Sequence, residues 1–129
     1  MPILLYTLFA MMFMPLILTW VNVYFRYKDF GAVDNNNPRH QVSQQTGTGA
    51  RVQAAQANTW EALIIYSITC FLAFASGADL HQFDDVALVY LGLRIAYVGF
   101  YIINKATLRS LTFVANMACC IYIVVQSIN

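Results

Sequence analysis

The sequence predicts an all-α integral membrane protein, a single bundle of four transmembrane helices. Three observations carry that prediction. Of the 129 residues, 60% are hydrophobic and 10% are charged, against about a quarter charged in an ordinary soluble domain. Four apolar runs approach the roughly 20 residues that a helix needs to cross a bilayer. None of the four alternates with a two-residue period, so each reads as helix and not strand. The mean hydropathy of +0.58 agrees, and the length fits one domain.

The first span is expected over 3–26, because no charged side chain precedes Arg26. It lacks the basic start and small-residue cleavage site of a signal peptide, so it is expected to remain. The loop that follows, 27–52, contains "DFGAVDNNNPRHQVSQQTGTGA", whose Asn-Pro, Gly and Thr mark turns in a mobile polar segment. The second span is expected over 53–78 and is uncharged after Glu61. The run "DLHQFDD" then reads as a solvated loop without trustworthy metal-ligand spacing, and no metal is expected. The third span, 84–104, is uncharged from Val86 onward except for Arg94, and the fourth, 108–127, is uncharged after Arg109. Cys70, Cys119 and Cys120 all fall inside spans and read as small buried apolar residues, not as a disulfide framework. No Gly-rich phosphate loop, Ser-His-Asp set or internal repeat is present.

Net charge is only +1, and no nucleic-acid partner is expected, but the placement of charge is informative. Arg26, Lys28, Arg39 and Arg51 lie around the first loop, and Lys105 and Arg109 around the third. The second loop has Asp79, Asp84 and Asp85 and no basic residue. Six of the seven basic residues thus fall in the two loops that four spans put on one side. The positive-inside rule makes that side cytoplasmic and leaves both termini non-cytoplasmic.

The third span has a polar face. At 100° per residue Tyr90, Arg94, Tyr97 and Tyr101 share one narrow sector, with Gly92, Ala96 and Gly99 opposite. Small faces allow helix backbones to approach closely in lipid. Arg94 cannot shed its charge and needs a partner within the membrane, and Glu61 is the one carboxylate available there. Arg26 and Asn22 from the first span, Arg51, Asn58 and Glu61 from the second, and Tyr97, Tyr101 and Arg109 beyond Arg94 are expected to converge in the cytoplasmic half. One reading of this set is a buried Glu61–Arg94 ion pair that pins two helices. The other is a pocket for a small polar, anionic ligand, because arginines outnumber what one carboxylate requires.

The two stretches that supply most of these residues, "RVQAAQANTWEA" and "RIAYVGFYIINKATLRSLTF", resemble the MAPEG family, the membrane-associated proteins of eicosanoid and glutathione metabolism. The first is similar to the family's helix 2 signature of Arg, then Asn, then Glu three residues on. The second is similar to its helix 3 pattern, followed by an Arg opening helix 4. The segment "DNNNPR" is similar to bacterial members. The resemblance covers the whole chain. It implies a homotrimer, a bacterial inner membrane, and glutathione as cosubstrate, bound between subunits on the cytosolic side.

By position, the resemblance makes Asn58 and Glu61 glutathione ligands, with Glu61 facing the ammonium group. Gln56 falls at a polar ligand position, and Arg94, Tyr97 and Tyr101 line the tripeptide. Arg109 matches the arginine that stabilises the thiolate, with Tyr101 or Arg94 in support, and Arg26 sits where some members place another basic ligand. Two departures stand out: Ala54 replaces an arginine usual in catalytic members, which Arg51 one turn earlier would partly replace, and Ala62 replaces a polar residue. The implied activity is a glutathione transferase or peroxidase acting on small lipophilic electrophiles or lipid hydroperoxides. The alternative is a non-catalytic lipid-binding member of the same family. A small multidrug-type transporter ranks lower, because that class carries its working glutamate in the first helix, where this chain has no acid.

Overall fold

A computed structural model describes all of residues 1–129. Five α-helices are present: α1 (Ile3–Phe30), α2 (Pro38–Ser43), α3 (Gly47–Ala75), α4 (Asp84–Ile102) and α5 (Ala106–Ser127). A 3₁₀ turn over Leu80–Phe83 leads into α4. The four long helices are each long and apolar enough to cross a membrane. They form an integral, multi-pass bundle whose outer surface carries Phe9, Trp20, Ile64, Phe71, Val114 and Ile121. Such a surface suits hydrocarbon, where every backbone group must be bonded within the chain.

The helix bounds depart from the expected spans mainly at the basic end of the bundle, the end with Arg26, Arg51, Lys105 and Arg109. The expected loop 27–52 is largely helical: α1 continues to Phe30, α2 occupies its middle, and α3 begins at Gly47 instead of 53. Hydropathy marks where lipid ends, not where a helix ends. Gln, Ala and Arg are good helix formers, so "GARVQAAQAN" continues the helix into the polar zone. The stop of α1 is local: Gly31 takes the left-handed conformation at φ 75° and bonds back to Tyr27 O at 2.8 Å. The turn between α4 and α5 is made the same way. Asn104 sits at φ 60°, and Lys105 N–H donates to Phe100 O at 2.8 Å.

Each long helix buries one stripe at three- and four-residue spacing. On α1 it is Leu4, Thr7, Met11, Pro15, Leu18, Asn22 and Arg26. On α4 it is Ala87, Tyr90, Arg94 and Tyr97. The polar face of α4 therefore points inward. Its small face points outward, with open space around Gly92 and Gly99, so no helix of this chain packs there.

The two halves of the bundle are built differently. The acidic half holds the main core, including Leu4, Tyr66, Phe83, Ala87, Tyr90, Cys70, Cys120 and Ile123. There the Tyr66 and Tyr90 rings stack at 4.0 Å. Thr7 Oγ1 donates to Leu4 O, so the Tyr66 hydroxyl donates to Thr7 across 2.7 Å. Asp84, in the former "DLHQFDD" run, accepts the free N–H of Ile3 at 2.7 Å and ties the start of α1 to the start of α4. The basic half has a core of only three buried apolar residues, Leu18, Val52 and Ala55.

In that half α1 and α3 approach closely. Asn22 Nδ2 donates to Gln45 Oε1 and Gly49 O. A Cβ at Gly49 would lie 2.6 Å from Gln45 Nε2 and 3.3 Å from Phe25 Cβ. Gly49→Leu is therefore expected to cost about 2 kcal/mol through overpacking, measured as a lowered thermal unfolding midpoint in detergent. An unchanged midpoint would show that α1 and α3 have room to separate.

Candidate functional site

The site is organised around Arg94, which α4 carries into the bundle interior with 1% of its surface exposed. The expected Glu61–Arg94 ion pair is not formed; the one salt bridge of the chain joins His81 and Asp84. Asn58 stands between them instead. Its Oδ1 accepts from Arg94 Nη1 and Nη2, both at 3.2 Å, and its Nδ2 donates to Glu61 Oε2 at 3.3 Å. Thr59 Oγ1 takes a further bond from Arg94 Nη2 at 3.3 Å, and the Tyr97 ring lies 4.3 Å from the guanidinium. Asn58 and Glu61 lie three residues apart on one face of α3, so the amide reaches Glu61 along its own helix while its carbonyl meets Arg94 of α4.

Two of the expected site residues are therefore committed. Arg94 holds neutral acceptors from α3. Arg51 Nε donates to Ile102 O at 2.9 Å, satisfying an orphan carbonyl at the end of α4, and its Nη2 donates to Thr48. Arg51 is thus not turned to the position that Ala54 leaves empty.

Others are free. Glu61 is exposed and accepts only the Asn58 bond. Arg109 Cζ lies 4.3 Å from the Tyr101 ring, and Tyr101 meets Tyr97 edge to face at 5.8 Å. Asn58, Tyr97, Tyr101, Arg109 and Phe113 line one open cavity of about 320 Å³. A smaller cavity of about 130 Å³ adjoins it through Asn58 and Phe113 and holds Glu61, Arg94 and Asn116. The arrangement offers an anion at one edge, a cation at the other, and two phenols between.

Arg26 and Gln56 do not join this group. Two residues along a helix turn the direction by about 200°, so Gln56 faces away from Asn58 and donates to Thr19 of α1 at 2.7 Å. Arg26 lines a separate cavity of about 210 Å³ with Asn22, Gln53 and Arg39. It is 8% exposed, and its Nε and one Nη have no partner. The spacing of Gln56 and Asn58 is enough to reveal this split. Sequence reasoning missed Asn116, whose Nδ2 donates to Tyr90 O at 3.2 Å; the available signal is a lone amide in the middle of an apolar span.

Removing the bridge tests the arrangement. Asn58→Ala is expected to lower stability by about 2–3 kcal/mol, because a buried guanidinium loses its main acceptor. Asn58→Asp keeps the acceptor and is expected to retain most of that stability. Equal unfolding midpoints for both variants would reject Asn58 as the residue that satisfies Arg94.

The comparisons with known proteins give one match. No curated protein and no solved structure is similar enough to match. The model of the MAPEG family matches over residues 3–129. With a polar seam inside four membrane-crossing helices, and a family match over essentially its whole length, the chain belongs to the MAPEG family.

Proposed function

We propose that the protein is a membrane-embedded glutathione-dependent transferase or peroxidase that acts on lipophilic electrophiles or lipid hydroperoxides. The family includes glutathione transferases and peroxidases as well as other members. The observation that carries the reading is the pair of uncommitted, opposite charges at one seam, Glu61 and Arg109, with Tyr97 and Tyr101 between them. A zwitterionic peptide thiol fits that pattern: Glu61 receives its ammonium, the tyrosines its polar groups, and Arg109 its sulfur.

Arg109 supplies the chemistry. An ordinary thiol has a pKa of about 8.5, so only a few per cent is ionised at neutral pH. A fixed guanidinium in a poorly solvated site favours the thiolate and lowers that value. The bound thiolate forms a carbon–sulfur bond as a leaving group departs with its electron pair. With a hydroperoxide it takes the terminal oxygen, the oxygen–oxygen bond breaks, and the lipid oxygen leaves as an alcohol once water protonates it. A second thiol then converts the sulfenic acid to disulfide and water.

The proposed assembly is a homotrimer, with both termini non-cytoplasmic and the basic end of the bundle facing the cytoplasm of a bacterial inner membrane. Arg26 supports it. Its unpartnered guanidinium and the Glu61–Arg109 seam lie in separate cavities of one chain, so a neighbouring subunit would complete the site. A non-catalytic, lipid-binding role is the second reading. It is favoured by Ala54 together with the engagement of Arg51 at Ile102 O, which leaves the site one cation short of its catalytic relatives.

Glutathione is expected to raise the unfolding midpoint of the purified protein and to give an ultraviolet thiolate band. Arg109→Ala should remove the band, and its persistence would sink the role given to Arg109. Glu61→Gln should weaken glutathione binding about tenfold, or roughly 1.4 kcal/mol. Binding without turnover of a chlorinated aromatic or a hydroperoxide would select the non-catalytic reading.

A further inference from the structure

The last four carbonyls of a helix have no partner within it. At the end of α4 three of them are met by the turn that follows. Gly99 O accepts from Ile103 N–H at 3.0 Å, Tyr101 O from Asn104 N–H at 3.2 Å, and Phe100 O from Lys105 N–H at 2.8 Å. The fourth, Ile102 O, is met from another helix, by Arg51 Nε of α3 at 2.9 Å. The last turn of α4 has no basic residue of its own, so Arg51 brings across the bundle the positive charge that a helix C-terminus favours. Thr48 Oγ1 accepts from Arg51 Nη2 at 3.0 Å and steadies the guanidinium. No other hydrogen bond joins the segment from Ile102 to Arg109 to α1 or α3.

That segment has little else to hold it. Residues 103–108 are all exposed, and Asn104 takes the left-handed conformation at φ 60°. Yet the turn sets where Arg109 points. Arg109 N–H donates to Lys105 O at 3.0 Å and closes the first turn of α5. Its guanidinium lies 4.3 Å from the ring of Tyr101, the residue just before Ile102.

We propose that Arg51 is a positioning residue for Arg109: by fixing the final carbonyl of α4 it holds the turn between α4 and α5, and with it Tyr101 and Arg109, at the wall of their shared cavity. The proposal rests on the role given to Arg109 in stabilising a thiolate. Arg51 does not line that cavity, so it acts through the turn and not on the thiol. A guanidinium stabilises a nearby anion strongly only at short range. A turn that is free to shift would spread Arg109 over positions of which few meet the sulfur.

Three substitutions separate position from charge. Glutamine Nε2 lies as many bonds from Cα as arginine Nε, so Arg51→Gln keeps the donor and loses the charge. Arg51→Lys keeps the charge and moves the donor one bond farther out, and Arg51→Met keeps only the stem. For each variant in lipid nanodiscs, the thiolate band of bound glutathione is titrated against pH. Hydrogen–deuterium exchange is followed at the amides from Ile103 to Arg109. Arg51→Met is expected to raise the pH at which the band half-forms by about one unit, a tenfold weaker hold on the thiolate. It is also expected to speed exchange at Lys105 and Arg109 about tenfold, the worth of one hydrogen bond. Arg51→Gln is expected to stay close to the wild type in both. Wild-type behaviour of Arg51→Met in either readout would overturn the proposal. So would a band that Arg51→Lys restores and Arg51→Gln does not, because Arg51 would then act by its charge. If Arg51→Met does not fold, Thr48→Val removes the acceptor of Nη2 and is expected to move both readouts the same way by a smaller factor. No movement there would also overturn the proposal. A wild type without any thiolate band would overturn the role of Arg109, and exchange at the turn would still decide whether Arg51 holds it.

Discussion

A guanidinium inside a membrane-crossing helix must be met by acceptors from its neighbours, and in this bundle Asn58 meets it. The carbonyl of that amide takes two bonds from Arg94, and its NH₂ group gives one to Glu61. A direct ion pair would have consumed both charges. Because a neutral amide intervenes, Arg94 is held in place and Glu61 is left free at the edge of the seam. The site owes its one available carboxylate to that substitution of amide for acid.

The same logic separates structural from available arginines. Arg51 lies on the site side of α3, yet its donors go to the carbonyl end of α4 and to Thr48. Arg109, one turn into α5, has only the face of Tyr101 beside it. Charge count alone ranks the two equally, and their hydrogen-bond partners distinguish them. Stability and function are also divided along the membrane normal. The acidic half carries stacked tyrosines, buried apolar side chains and the Asp84–Ile3 tie. The basic half has fewer buried apolar side chains and lines its cavities with polar ones, so less of its packing is apolar contact.

Much of this architecture is legible without coordinates. Lipid imposes long uncharged runs, and the four spans follow from them. The 100° period places Tyr90, Arg94 and Tyr97 on one inward face, as their burial shows. Helix ends were less legible, because α3 extends to Gly47 through polar residues whose helical preference hydropathy ignores. The opposed directions of Gln56 and Asn58 were readable from their spacing, but only when level along the bundle is kept distinct from angle around the helix. Asn116 gave a weaker signal, a single amide whose role depends on a carbonyl of another helix.

Composition, charge placement and periodicity were therefore sufficient for the membrane class, the number of spans and the polar face of α4, because each is imposed by the solvent or by the geometry of a single helix. The partner of Arg94, the engagement of Arg51 and the isolation of Arg26 were decided by tertiary structure. Hydrogen bonds are settled over distances of about 3 Å. Only the packing of one helix against another sets which side chain arrives first.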